Sequence, residues 1–136
     1  MYVNDLDGNP SIWHLTGNMP HGKLENKSSY HLIARKLIRD TYPTMQILEE
    51  VSISLRKSET LYLDFYIPLI KKCIEVHGEQ HYKFIPYYHQ NKLKFLKAQK
   101  RDREKKEWCE INNIYYIELS YKMDPIEWKK VLESHE

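Results

Sequence analysis

The sequence predicts one α/β domain: a small hairpin, a helix, three antiparallel strands, a second helix, a returning strand and a last helix. Three observations lead there. Tyr30, Ile33, Ala34, Leu37 and Ile38 recur at helical spacing. Three β-type segments follow at 45–54, 61–68 and 73–77, joined by links too short for crossover helices. A strongly helical stretch, 91–112, then separates the third segment from the apolar run 114–119, which is the pattern of a crossover back onto the sheet. With 136 residues the chain has room for a single core. Residues 1–27 read as a hairpin and loop extension, 28–119 as the core and 120–136 as a C-terminal helix.

In chain order, the turn Asp5-Leu-Asp-Gly-Asn-Pro10 sits between two short extended runs, and Gly17, Pro20 and Gly22 make 17–27 a loop. Ser28 or Ser29 is the N-cap of the first helix, which Pro43 stops. In the first strand Ile47, Glu49, Val51 and Ile53 are expected on one face, with Leu48, Glu50, Ser52 and Ser54 on the other. Lys57-Ser-Glu59 turns the chain into the second strand, and Gly78 ends the third. The stretch 82–89, with Pro86 and three tyrosines, has no period and reads as a surface loop. Asp124 and Pro125 start the last helix, whose apolar face is Ile126, Trp128, Val131 and Leu132.

The formal charge of +2 says little, but the cations are concentrated. Lys92, Lys94, Lys97, Lys100, Arg101, Arg103, Lys105 and Lys106 fall on one predicted helix and form a candidate track for a nucleic-acid backbone. Cys73 and Cys109 sit inside predicted elements and read as small core residues in a reducing compartment. A zinc site from Cys73, His77, His81 and Cys109 lacks the paired spacing of zinc modules. No apolar run approaches the ~20 residues a membrane span needs, and a cytoplasmic protein without a signal peptide is expected.

The central pair of strands carries the chemistry. Asp64 lies within Leu61-Tyr-Leu-Asp-Phe-Tyr-Ile-Pro68, and Glu75 lies within Cys73-Ile-Glu-Val-His77, each where the pattern predicts burial. A hairpin brings both acids to one end and face of the sheet, as a pair of oxygen ligands for a hard divalent cation. His77, two residues after Glu75, points to the same side. His81 follows close by, and an imidazole there suits general acid or base work. Asp102 precedes Cys109 by two helical turns, which directs it toward the sheet. Against these stand plainer readings: Asp64 as an exposed strand acid, and Glu75 as a surface ion pair with Lys72.

Asp64-Phe-Tyr-Ile-Pro68, Ile74-Glu-Val-His-Gly-Glu-Gln-His-Tyr82 and Arg101-Asp-Arg-Glu-Lys105 resemble the very-short-patch-repair-like branch of the PD-(D/E)XK nucleases, and more narrowly its phage-associated EDxHD homing endonucleases. The resemblance spans 28–119 and implies an αβββαβ restriction-endonuclease-like core. It implies Mg²⁺, with Mn²⁺ as substitute, held by Asp64, Glu75 and the backbone carbonyl of Val76. It implies His81 as the family's histidine, assisted by Asp102. The superfamily lysine is absent: His77 stands in its place, with Lys105 or Lys106 as substitutes from the helix. The family's first-helix glutamate is replaced by His31, with Glu49 and Glu50 as other candidates for its role.

The expected activity is therefore metal-dependent hydrolysis of phosphodiesters in duplex or branched DNA by a monomeric or homodimeric phage or mobile-element protein, acting in a bacterial cytoplasm. His77 would contact the scissile phosphate or the metal's water. Two other classes compete: a non-catalytic nucleic-acid binder that uses the basic helix with Tyr82, Tyr87 and Tyr88 for stacking, and a phage factor acting on a host protein.

Overall fold

Helix α1 (Ser29–Thr41) begins at Ser28, which is extended and whose side-chain oxygen accepts from the His31 amide. The computed structural model describes residues 1–15 and 28–134, so the loop expected over 17–27 lies outside the described residues. The buried stripe of α1 is His31, Ala34, Arg35 and Ile38, whereas Tyr30 and Ile33 are exposed. The predicted stripe is thus rotated, because His31 and Arg35 are drawn inward to the buried carboxylate of Glu49.

Strands β3 (Leu48–Arg56), β4 (Glu59–Ile67), β5 (Lys72–His77) and β6 (Tyr115–Ser120) form one sheet in that spatial order. The first three are antiparallel, and β6 joins β5 in parallel after the crossover through α3 (Lys92–Ile111). On one face α1 and α4 (Pro125–Ser134) pack over Phe65, Ile67, Ile74, Ile117 and Leu119. Helix α3 and the hairpin of β1 (Tyr2–Asn4) and β2 (Pro10–Ile12) cover the other, around Trp13, Leu63, Cys73, Trp108 and Cys109. The predicted α/β architecture is the observed one.

The hairpin turn is held by Asp5, whose Oδ1 accepts from the amides of Asp7 and Asn9 at 2.9 Å, with Gly8 at φ +84°. Trp13 anchors the hairpin by donating its indole N–H to the Ser52 carbonyl at 3.0 Å.

The face assignment within β3 needs correction. Ile47 belongs to the core beneath α1, but Leu48, Val51, Ile53 and Leu55 belong to the core beneath α3. The phase slips at Glu50, which has a left-handed backbone with φ 52°. A matching slip occurs across the ladder, where Leu63 and Phe65, flanking Asp64, enter opposite cores. Glu50 and Asp64 lie between the paired positions Glu49↔Phe65 and Val51↔Leu63. Strict alternation along the sequence cannot reveal such a local irregularity.

The expected loop 82–89 also differs. Pro86 starts a one-turn helix, α2 (Pro86–His89), whose His89 is buried against Phe84 and Phe95.

Asp124 caps α4 as expected: its Oδ1 accepts from the Glu127 amide at 2.8 Å, and Glu127 accepts from the Asp124 amide at 3.3 Å. Asp124→Ala should cost about 1 kcal/mol in urea denaturation, with an unchanged slope. Loss of less than a few tenths of that would show that the cap contributes nothing.

Candidate active site

The ladder between β4 and β5 pairs Ile67 with Lys72, Tyr66 with Cys73 and Phe65 with Ile74. At the next step side chains replace it. Glu75 Oε2 accepts from the Asp64 amide at 2.6 Å, and Asp64 Oδ2 accepts from the Val76 amide at 2.9 Å. Each acid thus satisfies a backbone donor of the opposite strand, where parting strands would otherwise leave it unpaired. The expectation that Asp64 and Glu75 converge is met. Glu75 is 1 % exposed and Asp64 is partly buried, so neither is a free surface acid.

Glu75 does not pair with Lys72, which donates instead to the Tyr42 hydroxyl at 2.7 Å. Its cationic partner is Lys105, which reaches from α3 to Glu75 Oε1 at 2.8 Å. Lys105 therefore belongs to the acid pair more than to the exposed track in which its sequence position places it. Burial works against its ammonium, but the charges of Glu75 and Asp64 and the bond to Glu75 outweigh that and hold its pKa above the usual lysine value. Asp64 is pushed up to about 7, first by burial and then by the charge of Glu75, with Lys105 and the Val76 amide pulling the other way. Two desolvated carboxylates with one ammonium between them are short of positive charge. Such a set of hard oxygens suits a small divalent cation.

Beyond the acids, His77 and His81 stack face to face, with ring centroids 4.0 Å apart and planes 3° apart. His77 is buried and its Nδ1 lies 3.1 Å from Glu118 Oε1 on β6. Glu118 also accepts from the Tyr82 hydroxyl at 2.6 Å. The hydrogen bond with His77 is the main reason its carboxyl is lowered to about 2. His81 directs Nδ1 at Asp102 Oδ2, 2.8 Å away. With Nδ1 so engaged, Nε2 is the nitrogen of His81 left for proton exchange. The short helical turn Glu79–His81 after Gly78 brings the second imidazole back over the first.

Asp64, His81, Asp102 and Lys105 share the wall of a cleft of about 530 Å³ with Glu50, Leu61, Tyr62, Ala98 and Arg101. Ala98, Arg101, Asp102 and Lys105 follow one another at helical spacing, so α3 forms one side of the cleft along its length. Lys92, Lys94, Lys97, Lys100, Arg101, Arg103 and Lys106 are exposed. On the expectation that this face tracks a nucleic-acid backbone, exchange of Lys97 and Arg101 together for Gln should weaken DNA retention and reduce its salt slope by about 2, measured by filter retention from low to moderate salt. An unchanged slope would remove this face from any nucleic-acid contact.

His31 takes a different place from the cleft residues. It stacks on Phe65 with centroids 4.6 Å apart and bonds Glu49 at 2.5 Å, within the α1 side of the sheet. Glu49 also receives Arg35, whereas Glu50 lines the cleft. Cys73 and Cys109 are both fully buried in the core beneath α3, and among the described residues His77 and His81 group with Asp102 instead, so the four-residue zinc set does not assemble. Glu118 is the participant that sequence reasoning missed. Its signal was present, since it is an acid in the apolar run Ile114-Tyr-Tyr-Ile-Glu-Leu119, the same anomaly that marked Asp64 and Glu75.

No family model matches the chain, and no solved structure matches it significantly. It is similar to uncharacterized protein 307L of Invertebrate iridescent virus 6, 44% identical over 66 residues, which covers 48% of this chain and 34% of that protein. It is also similar to uncharacterized protein 033L of Invertebrate iridescent virus 3, 36% identical over 61 residues, covering 45% of this chain and 31% of that protein. The chain matches only about a third of the length of these relatives.

Proposed function

We propose that the chain is a metal-dependent endonuclease of the PD-(D/E)XK type, hydrolysing phosphodiesters in DNA. One observation carries the reading: Asp64 and Lys105 line a cleft whose wall also holds His81 and Asp102, and the buried Glu75 bonds to Lys105 and to the Asp64 amide behind them, where two strands part. Two carboxylates that can hold a cation, with an ammonium beside them, suit the charge that develops in phosphoryl transfer.

Asp64 and Glu75 would hold Mg²⁺ or Mn²⁺, together with a carbonyl oxygen of the adjoining Val76 peptide. Bound there, the cation supplies Lewis-acid polarisation of the phosphate and a lowered pKa for the attacking water. Lys105 fills the place of the superfamily lysine from the helix instead of the strand, and forms the ion pair with the buried Glu75 side chain. His81 takes or gives a proton at Nε2, with its ring held by Asp102. His77, committed to Glu118, backs the ring of His81 and orients it. The exposed cations of α3 guide the sugar-phosphate backbone toward the cleft. The iridescent-virus relatives fit a viral or mobile-element setting without fixing the host.

The test is direct. Supercoiled plasmid incubated with the protein and Mg²⁺ or Mn²⁺ should be nicked or linearised, and EDTA should prevent it. Intact plasmid under all conditions, with DNA retained on the protein, would replace the enzyme by a binding module of the same architecture.

A further inference from the structure

We propose that His77, His81 and Asp102 form a binding site for a transition-metal cation of the zinc class, separate from the acid pair Asp64 and Glu75. One ligand atom from each of the three lies within 4.8 Å of the others. His77 is 3 % exposed, and its Nε2 is buried without a hydrogen-bond partner. An orphaned nitrogen in such a place is costly unless something binds it.

The hydrogen bonds also set its protonation. Glu118 accepts from the Tyr82 hydroxyl on one oxygen and faces His77 Nδ1 with the other. A carboxylate in that position accepts a hydrogen bond from Nδ1–H, which fixes the proton on Nδ1 and leaves Nε2 as a bare lone pair. This is the carboxylate-backed tautomer that metal-binding imidazoles adopt. His81 stacks beside it, and Asp102 adds an oxygen at 2.8 Å from His81 Nδ1. Two nitrogens and one oxygen favour Zn²⁺ or Co²⁺, whereas two carboxylates favour Mg²⁺. Three protein ligands leave a fourth position for water, and His81 and Asp102 place it at the cleft. On the nuclease reading, zinc there removes His81 from proton transfer and inhibits cleavage. Binding itself does not rest on that reading.

The full chain, freed of metal and without DNA, is titrated with Co²⁺ and Zn²⁺ while visible d–d absorption and the ¹⁵N shifts of the imidazoles are followed. The expected result, with excess Mg²⁺ present to occupy the acid pair, is one transition-metal ion per chain that Mg²⁺ does not displace, with the nitrogens of His77 and His81 shifting together. His77→Gln and Asp102→Asn should each weaken binding by at least about tenfold, and Asp64→Asn should leave it unchanged. No d–d absorption, shifts confined to other histidines, or equal loss in Asp64→Asn would overturn the site. The wild-type ¹⁵N shifts decide the matter even where His77→Gln fails to fold. A protein that binds Co²⁺ in this way and never cuts DNA would refute the endonuclease and keep the metal site.

Discussion

Asp64→Asn should abolish divalent-cation-dependent cleavage and, at the same time, stabilise the metal-free protein above pH 7. The first effect follows from removing one of two carboxylates that would hold the cation. Losing about 4 kcal/mol of charge stabilisation slows cleavage about a thousandfold, while the exposed face of α3 keeps its grip on DNA. The second effect follows from linkage. The folded-state pKa of Asp64 is about 7, above the value near 4 expected of an unfolded chain. The folded protein therefore binds the proton more tightly, and the stability this contributes is fully present below about pH 4. It is lost as pH rises through 7, to a total on the order of 2–4 kcal/mol. Asn keeps an oxygen for the Val76 amide and never ionises. Thermal melts of wild type in EDTA should fall from pH 5.5 to pH 8, and those of the variant should fall less. Parallel pH profiles would show that Asp64 is not strained by its charge, and unchanged cleavage would remove it from the metal site.

Lys105→Met should destabilise the protein by about 3 kcal/mol at pH 8, with the loss shrinking below pH 7 as Asp64, whose pKa is pushed up to about 7, takes a proton and one of the two charges that Lys105 offsets disappears. The ammonium is the cationic partner of Glu75, whose side chain is 2 % exposed, and Met leaves that buried carboxylate without it. The side chain of Lys105 is itself 17 % exposed, so relaxation and water keep the cost at the low end of such changes. Urea denaturation at pH 5.5 and pH 8 measures both numbers. The double variant with Glu75→Gln should recover much of the stability, because the uncompensated charge is then gone. Failure of that recovery would mean that Lys105 acts through packing of its aliphatic stem instead.

The acid pair was legible because it breaks a rule visible in one dimension: Asp64 and Glu75 interrupt apolar strand patterns, and a short hairpin fixes their register. The order of helices and strands was legible for similar reasons, including the caps Ser28 and Asp124. Three features were not. The rotation of α1 toward His31 and Arg35 depends on Glu49, from another element, and propensity along the helix carries no trace of it. The selection of Lys105 from a row of similar cations depends on where α3 crosses the sheet, which is a tertiary fact. His77 was expected at the scissile phosphate or the metal's water, and the structure turns its Nδ1 to Glu118, a partner 41 positions later that the parallel pairing of β5 with β6 supplies.

That pairing also bears on how the molecule assembles. Glu75 reaches the Asp64 amide across a separation of 11 residues, but Lys105 reaches Glu75 across 30. Local hairpins close sooner than distant segments return. During folding the two anionic groups therefore meet before their neutralising cation arrives, so mildly acidic conditions or added magnesium should speed the early steps of renaturation.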